Sequence, residues 1–153
     1  MARFDFRLQS VLNLREKLET QKELEYARAL AKLEEERARE RALREWKADC
    51  IAHLAAMVSG DGAGSGLLID ANEVSRYNEF VEVLKERIAL QQKAVKAAEQ
   101  FAEDKRKELV EAMRARKTIE RLRENAYEEF VEEEKREEQK QVDAVVSYKY
   151  SKM

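Results

Sequence analysis

The residue types that could do chemistry in this chain are few. His53 is its only histidine and Cys50 its only cysteine. A metal at His53 would need further ligands, and none are grouped with it. The run Ser59-Gly60-Asp61-Gly62-Ala63-Gly64-Ser65-Gly66 invites comparison with loops whose backbone amides cradle phosphate. It lacks the Gly-Lys-Ser/Thr ending, follows no strand, and does not keep the G-x-G-x-x-G spacing. A turn is the better reading. Cys50 suits a buried position as a small hydrophobe, and Trp46 would cover the packing seam beside it. Arg114 to Arg123 holds five basic residues and one acid, a set that could touch phosphate. Glu124 to Glu138 follows at once with eight acids and two bases, so a protein partner of mixed charge fits better. Catalysis needs converging groups in a concave, water-excluded site. Nothing here supplies one, and no catalytic, cofactor or metal residues are expected.

The elements that would position these residues follow from composition. Of 153 residues, 41% are charged and 7% aromatic, and there is no proline. Ala, Glu, Lys, Leu and Arg dominate, the pattern of long helices and coiled coils. A net charge of −2 argues against a general nucleic-acid binder. The N-terminus carries charges at Arg3, Asp5 and Arg7 with no continuous apolar stretch, unlike a signal peptide. No run approaches the ~20 apolar residues of a membrane span, and no strongly basic amphipathic helix suggests a membrane surface. The expectation is a cytoplasmic protein without membrane insertion.

All four glycines fall between Gly60 and Gly66. Glycine costs roughly 1 kcal/mol inside a helix and proline roughly 3, so the chain is punctuated once. The predicted fold is all-α: helix one over about 6–58, a glycine-rich turn over 59–69, and helix two over about 70–148. Stepping four then three, one seam reads Leu8, Leu12, Arg15, Glu19, Lys22, Tyr26, Ala29, Leu33, Glu36, Glu40, Leu43, Lys47, Cys50, Leu54 and Met57. Leu14, Leu18, Leu24 and Leu30 fall off it and leave the register of this half open. Asp70 with Glu73 fits a capping box, and Ile69 with Val74 a hydrophobic staple, at the start of helix two. Its seam runs Tyr77, Val81, Leu84, Ile88, Gln91, Val95, Ala98, Ala102, Lys105, Leu109, Ala112, Arg116, Ile119, Arg123, Ala126 and Phe130.

An antiparallel coiled-coil hairpin pairs Cys50 with Tyr77, Leu43 with Leu84, Ala29 with Ala98 and Leu8 with Ile119. The sum of facing residue numbers stays nearly constant, and half of it falls at Ala63 or Gly64. The same register sets Glu36 against Gln91, which can fix alignment at some cost in stability. It also brings Lys22 to Lys105, Glu40 to Ile88 and Lys47 to Val81, contacts that require the long side chains to splay outward. Helix one ends near Phe4, opposite about Glu124. Beyond 124, helix two is expected to be unpaired, a helical overhang of roughly 40 Å. There Tyr127, Phe130, Val131, Val142, Val145, Val146, Tyr148 and Tyr150 would project without an intramolecular partner, as a docking surface.

The two ends carry a family resemblance. The N-terminus reads Phe4-x-Phe6-x-Leu8-Gln9-x-Val11-Leu12-x-Leu14-Arg15-x-x-x-Glu19. The C-terminal part reads Lys117-x-x-Glu120-x-Leu122, then Glu137-Glu138-Gln139-Lys140-x-x-Asp143. Over essentially its whole length the chain resembles FliJ, the small coiled-coil protein of the bacterial flagellar export apparatus. Ala144 departs from the pattern, which has an acidic residue after Asp143. The resemblance implies a non-enzymatic stalk and chaperone-escort protein. It would be monomeric on its own and cytoplasmic, held peripherally at the inner membrane of the flagellar base, and would support flagellar assembly and motility. The implied partners are the export ATPase hexamer, the membrane export gate component and export chaperones. On the motif match, Phe6, Leu8, Gln9, Leu12, Glu137, Glu138, Gln139, Lys140 and Asp143 would contact the ATPase, with Tyr127 and Phe130 of the overhang beside them. Gate binding in the family is attributed to an apolar stripe early in the second helix, whose spacing Tyr77, Val81, Leu84 and Ile88 match, although the same four serve as hairpin core. A self-associating structural coiled coil, or the equivalent stalk of a virulence secretion system, remains the alternative.

Overall fold

The computed structural model describes residues 2–59 and 71–152. It contains two helices, α1 (Gln9–Ser59) and α2 (Ala71–Ser151), and no strand among the described residues. The fold is all-α, with the two helices packed against each other. The expected glycine turn, the Asp70 cap and the Ile69 half of the staple lie outside the described residues. Where helix one was expected from about Phe6, residues 2–6 are non-helical and the first turn closes on two bonds. Gln9 N–H donates to the Phe6 carbonyl at 3.1 Å, and Leu12 N–H to that of Leu8 at 2.9 Å.

Two compact units divide the chain, residues 25–106 and residues 1–24 with 107–153, and both helices run through each. In the unit of residues 25–106, Ala29, Leu33, Val95 and Ala102 form one buried cluster, with Ala98 packed on it. Cys50, Val81 and Leu84 form another, flanked by Leu43, Leu54 and Phe80. The pairings Lys105–Glu25, Arg37–Glu99, Trp46–Phe80 and His53–Tyr77 run in opposite directions along the two helices, so the packing is antiparallel.

Every buried residue of α1 (Leu12, Glu19, Ala29, Leu33, Glu36, Cys50) lies on the predicted seam, as does every one of α2 (Val81, Leu84, Ile88, Val95, Ala102). Leu14, Leu18, Leu24 and Leu30 are exposed, which settles the register that the leucines left open. Between the two apolar clusters, Glu36 is only 7% exposed. The Gln91 side-chain amide donates to its carboxylate at 2.6 Å and to its backbone carbonyl at 2.8 Å. Lys32 and Arg39 reach the other carboxylate oxygen at 2.9 and 3.3 Å. The hydrogen bond from Lys32, then that from Gln91, holds this carboxyl below the usual glutamate range.

The expected meeting of Lys22 with Lys105 does not leave two bare like charges. Lys105 pairs with Glu25 at 3.5 Å, and Lys22 with Glu108 at 3.2 Å. Their long stems let each ammonium leave the seam for a carboxylate. In the unit built from the two chain ends, Glu19 is 9% exposed and bonds the Arg116 guanidinium, which Glu120 holds from its other side at 2.6 Å.

Two outcomes follow from this packing. Leu84, with 0% exposure, leaves a cavity on truncation. Leu84→Ala should cost about 2–5 kcal/mol in urea unfolding followed by circular dichroism, whereas Leu14→Ala should change stability by less than about 0.5 kcal/mol. Because the folded state depresses the Glu36 carboxyl, its stabilisation is present above the ordinary glutamate value and is lost as pH falls through the lowered one. Glu36→Gln should therefore flatten the loss of stability between about pH 5 and pH 3; a melting-temperature series of undiminished slope would contradict this.

Candidate partner-binding surface

The surface is built from the start of the chain and the end of α2, within one unit. No glycine or proline interrupts α2, whose residues of good helix propensity carry it through Ser151. What changes along it is the partner. Arg123 Nε donates to the Gln9 side-chain oxygen at 3.0 Å. The Phe4 ring centroid then lies 5.2 Å from that of Tyr127, edge-on, and 5.4 Å from that of Phe130. The Arg123 guanidinium stands 5.8 Å from the Phe4 ring.

These contacts correct the expectation that α2 is unpaired beyond about 124 and that Tyr127 and Phe130 have no intramolecular partner. The reason is geometric. An extended chain advances about 3.3 Å per residue against 1.5 Å in a helix. Non-helical residues 2–6 therefore carry Phe4 past Glu124 to Tyr127 and Phe130. Aromatic pairs of this kind contribute about 0.5–1.5 kcal/mol each, and an exposed cation–π contact about 0.5–1 kcal/mol. Ordering backbone costs about 1–2 kcal/mol per residue, so the lead-in is held only marginally.

Of the N-terminal motif, Phe6, Leu8 and Gln9 are half-buried and Leu12 is 4% exposed. Leu12 is therefore a packing residue with little surface to offer. Glu137, Glu138, Gln139, Lys140 and Asp143 are exposed. They begin about two helical turns beyond Phe130. Gln139 donates to Asp143 at 3.0 Å, and Lys140 pairs with Glu137 at 3.7 Å, both along the same helix. Thus Phe4 and Gln9 are brought to Arg123, Tyr127 and Phe130, while the C-terminal motif stands apart on its own stretch of α2. There Glu138, Gln141, Val142, Val145 and Val146 line one shallow apolar trough, and Tyr148 and Tyr150 are exposed beyond it.

The stripe Tyr77, Val81, Leu84 and Ile88 offers no such surface. Val81, Leu84 and Ile88 are buried, and Tyr77 is half-buried with its ring 4.9 Å from that of His53. Hairpin packing consumes the spacing that suggested a binding face. At that level of α2, Trp46, expected only to cover the seam, meets Phe80, which the sequence did not single out, edge-on at 5.0 Å, and Trp46 is 46% exposed. Phe4 was read as the end of helix one and as part of a motif; the 4–3 stepping before Leu8 lands on Asp5, so the seam carried no signal for its contact with Tyr127 and Phe130.

No group of three or more His, Cys, Asp or Glu side chains among the described residues is arranged to hold a metal ion. No described helix is long and apolar enough to cross a membrane. The arrangement suits binding through an apolar stripe flanked by charge. Residues 4–153 match the protein family described as flagellar FliJ protein. No curated protein and no solved structure matched the chain.

Removing what lies past the last packed aromatic ring should leave the rest intact. A chain ending after Glu134 should lose helical signal only in proportion to the residues removed and keep its unfolding midpoint within about 2 °C, because exposed positions contribute little. Circular dichroism melting checks this, and a large drop would mean that the end of α2 helps hold the fold.

Proposed function

Because the chain belongs to the flagellar FliJ protein family and is thus a component of the flagellar export apparatus, we propose that it acts there by binding, not catalysis. The end of α2 is the part that docks on the export ATPase hexamer. The observation carrying this reading is the exposed stripe Val142, Val145, Val146, Tyr148 and Tyr150 on a helix that continues about twenty residues past Phe130. Apolar residues at this spacing on a helix without a neighbour are what a groove-forming partner recognises. The acidic run from Glu124 to Glu138 would steer association with a basic surface and make its rate salt-dependent. Glu137, Glu138, Gln139, Lys140 and Asp143 adjoin the stripe, and Phe6, Leu8 and Gln9 support it from the chain start.

The membrane export gate component would meet the other unit. The buried stripe is unsuited to that contact, and exposed Trp46 with Phe80 is the aromatic surface available beside it. Aromatic side chains of this kind dominate interface energetics. Export chaperones are the third class of partner. The chain is monomeric when alone and works at the cytoplasmic face of the inner membrane at the flagellar base, where it supports flagellar assembly and motility. The coupling is mechanical: one region engages the ATPase and another the gate.

The ATPase reading is tested by a pull-down and a binding titration with the export ATPase ring. Val142→Asp combined with Val146→Asp should weaken binding at least about tenfold, one desolvated charge being enough for that, with helicity unchanged. Undiminished affinity would defeat the reading. For the gate, Trp46 is the chain's only tryptophan, so its emission should shift when the gate component is added. Phe80→Ala should weaken that response more than tenfold, the size typical of an interface hot spot.

A further inference from the structure

We infer that the start of the chain, residues 2–5, is a displaceable clasp that covers one side of Tyr127 and Phe130 through Phe4 and must open for a partner to advance along α2. The inference rests on the reading that the end of α2 is the docking element. Four observations carry it. Residues 2–5 are non-helical, and Ala2, Arg3 and Asp5 are exposed, so little besides Phe4 ties the segment down. Phe4 provides its main anchor, against the two aromatic rings of α2. Arg123 binds both components at once, with its guanidinium over the Phe4 ring and its Nε on Gln9, the first residue of α1. Tyr127 remains 51% exposed on its uncovered side, and the exposed stripe of α2 begins a few turns further on.

A partner that seats apolar groups on Val142, Val145 and Val146 and moves toward the packed region meets Phe4 first. Phe4 and the partner's own apolar side chain then contend for the same faces of Tyr127 and Phe130. The occupant when the chain is alone is Phe4. Its removal takes nothing from the hydrogen-bonded turns of either helix, because Phe4 donates to and accepts from neither in the first turn of α1. The clasp therefore opens without unfolding, and its closed state reduces apparent affinity by the fraction of chains in which it is shut. Phe4, which shuts it, is distinct from Val142, Val145 and Val146, which separates this device from the docking stripe itself.

The experiment uses the full chain in two measurements. First, tyrosine nitration by tetranitromethane is followed residue by residue by mass spectrometry without any partner. Phe4→Ala should raise the nitration rate of Tyr127 at least twofold and leave Tyr148 and Tyr150 unchanged, and Phe4→Leu, which keeps an apolar group in place, should stay near the wild-type rate. No selective change at Tyr127 would overturn the clasp. Second, the assembled export ATPase ring is titrated with fluorescently labelled chains. Phe4→Ala should bind three- to tenfold tighter than wild type, and Tyr127→Ala should bind more weakly. Unchanged or weakened binding by Phe4→Ala would overturn the clasp as a control on access, since Phe4 would then be idle or part of the docking face. If neither wild type nor Phe4→Ala binds the ring, the docking reading fails, and the nitration result alone decides whether the clasp exists.

Discussion

A helix in a two-helix protein can bury only the stripe that its neighbour covers, and α2 is longer than α1 by a wide margin, 81 residues against 51. That inequality governs the rest. Where α1 is present, the stripe of α2 is filled by Leu84, Val81, Val95 and Ala102 and becomes interior. Where α1 has ended, an extended segment takes over for a few residues through Phe4, and beyond Phe130 no described residue of α1 or the lead-in does. The same kind of side chain, valine, is thus core at Val95 and surface at Val145 on one uninterrupted helix. Stability comes from the first situation, and the capacity to bind is proposed to come from the second.

The buried stripe is not uniformly apolar, and its polar layers carry alignment. A heptad pattern by itself permits slippage by one repeat, since each seven-residue step presents a similar face. Glu36 with Gln91 prevents this in one unit, and Glu19 with Arg116 and Glu120 marks the other. A slipped register would set Glu36 against apolar side chains without the Gln91 amide, leaving it only Lys32 and Arg39 of its own helix. The exposed ion pairs, such as Arg37 with Glu99, contribute much less, about 0–1 kcal/mol each.

Much of the fold was legible in the sequence because one periodicity runs through it. The confinement of glycine to one short stretch and the 4–3 stepping of the seam define two helices, and every buried residue lies on that seam. Leu14, Leu18, Leu24 and Leu30 blurred the picture, since hydrophobicity alone does not say which leucine finds a neighbour. Lys22 and Lys105 looked adverse because the register places Cα atoms, whereas lysine reaches far from its own. The site was less legible. An extended lead-in carries no periodic signal, so the reach of Phe4 to Phe130 could not be read. Tyr77, Val81, Leu84 and Ile88 have the spacing of both a core and a docking face, and only packing separates the two. Trp46 and Phe80 meet from different helices, a contact that depends on the alignment being known first.

The end of α2 is proposed to be a helix awaiting a partner, whereas the described stretches where α1 and α2 pack are already paired. Amide hydrogen exchange with and without the assembled export ATPase ring tests it directly. In the free chain, amides from Glu132 to Ser151 should exchange far faster than those from Val81 to Ala102, because an isolated helix opens readily and a packed one does not. On addition of the ring, the slow amides should stay unchanged and those of the C-terminal stretch should slow at least tenfold. Equal protection of the two stretches in the free chain, or no slowing at the C-terminal stretch when the ring is present, would mean that the end of α2 is not the docking element.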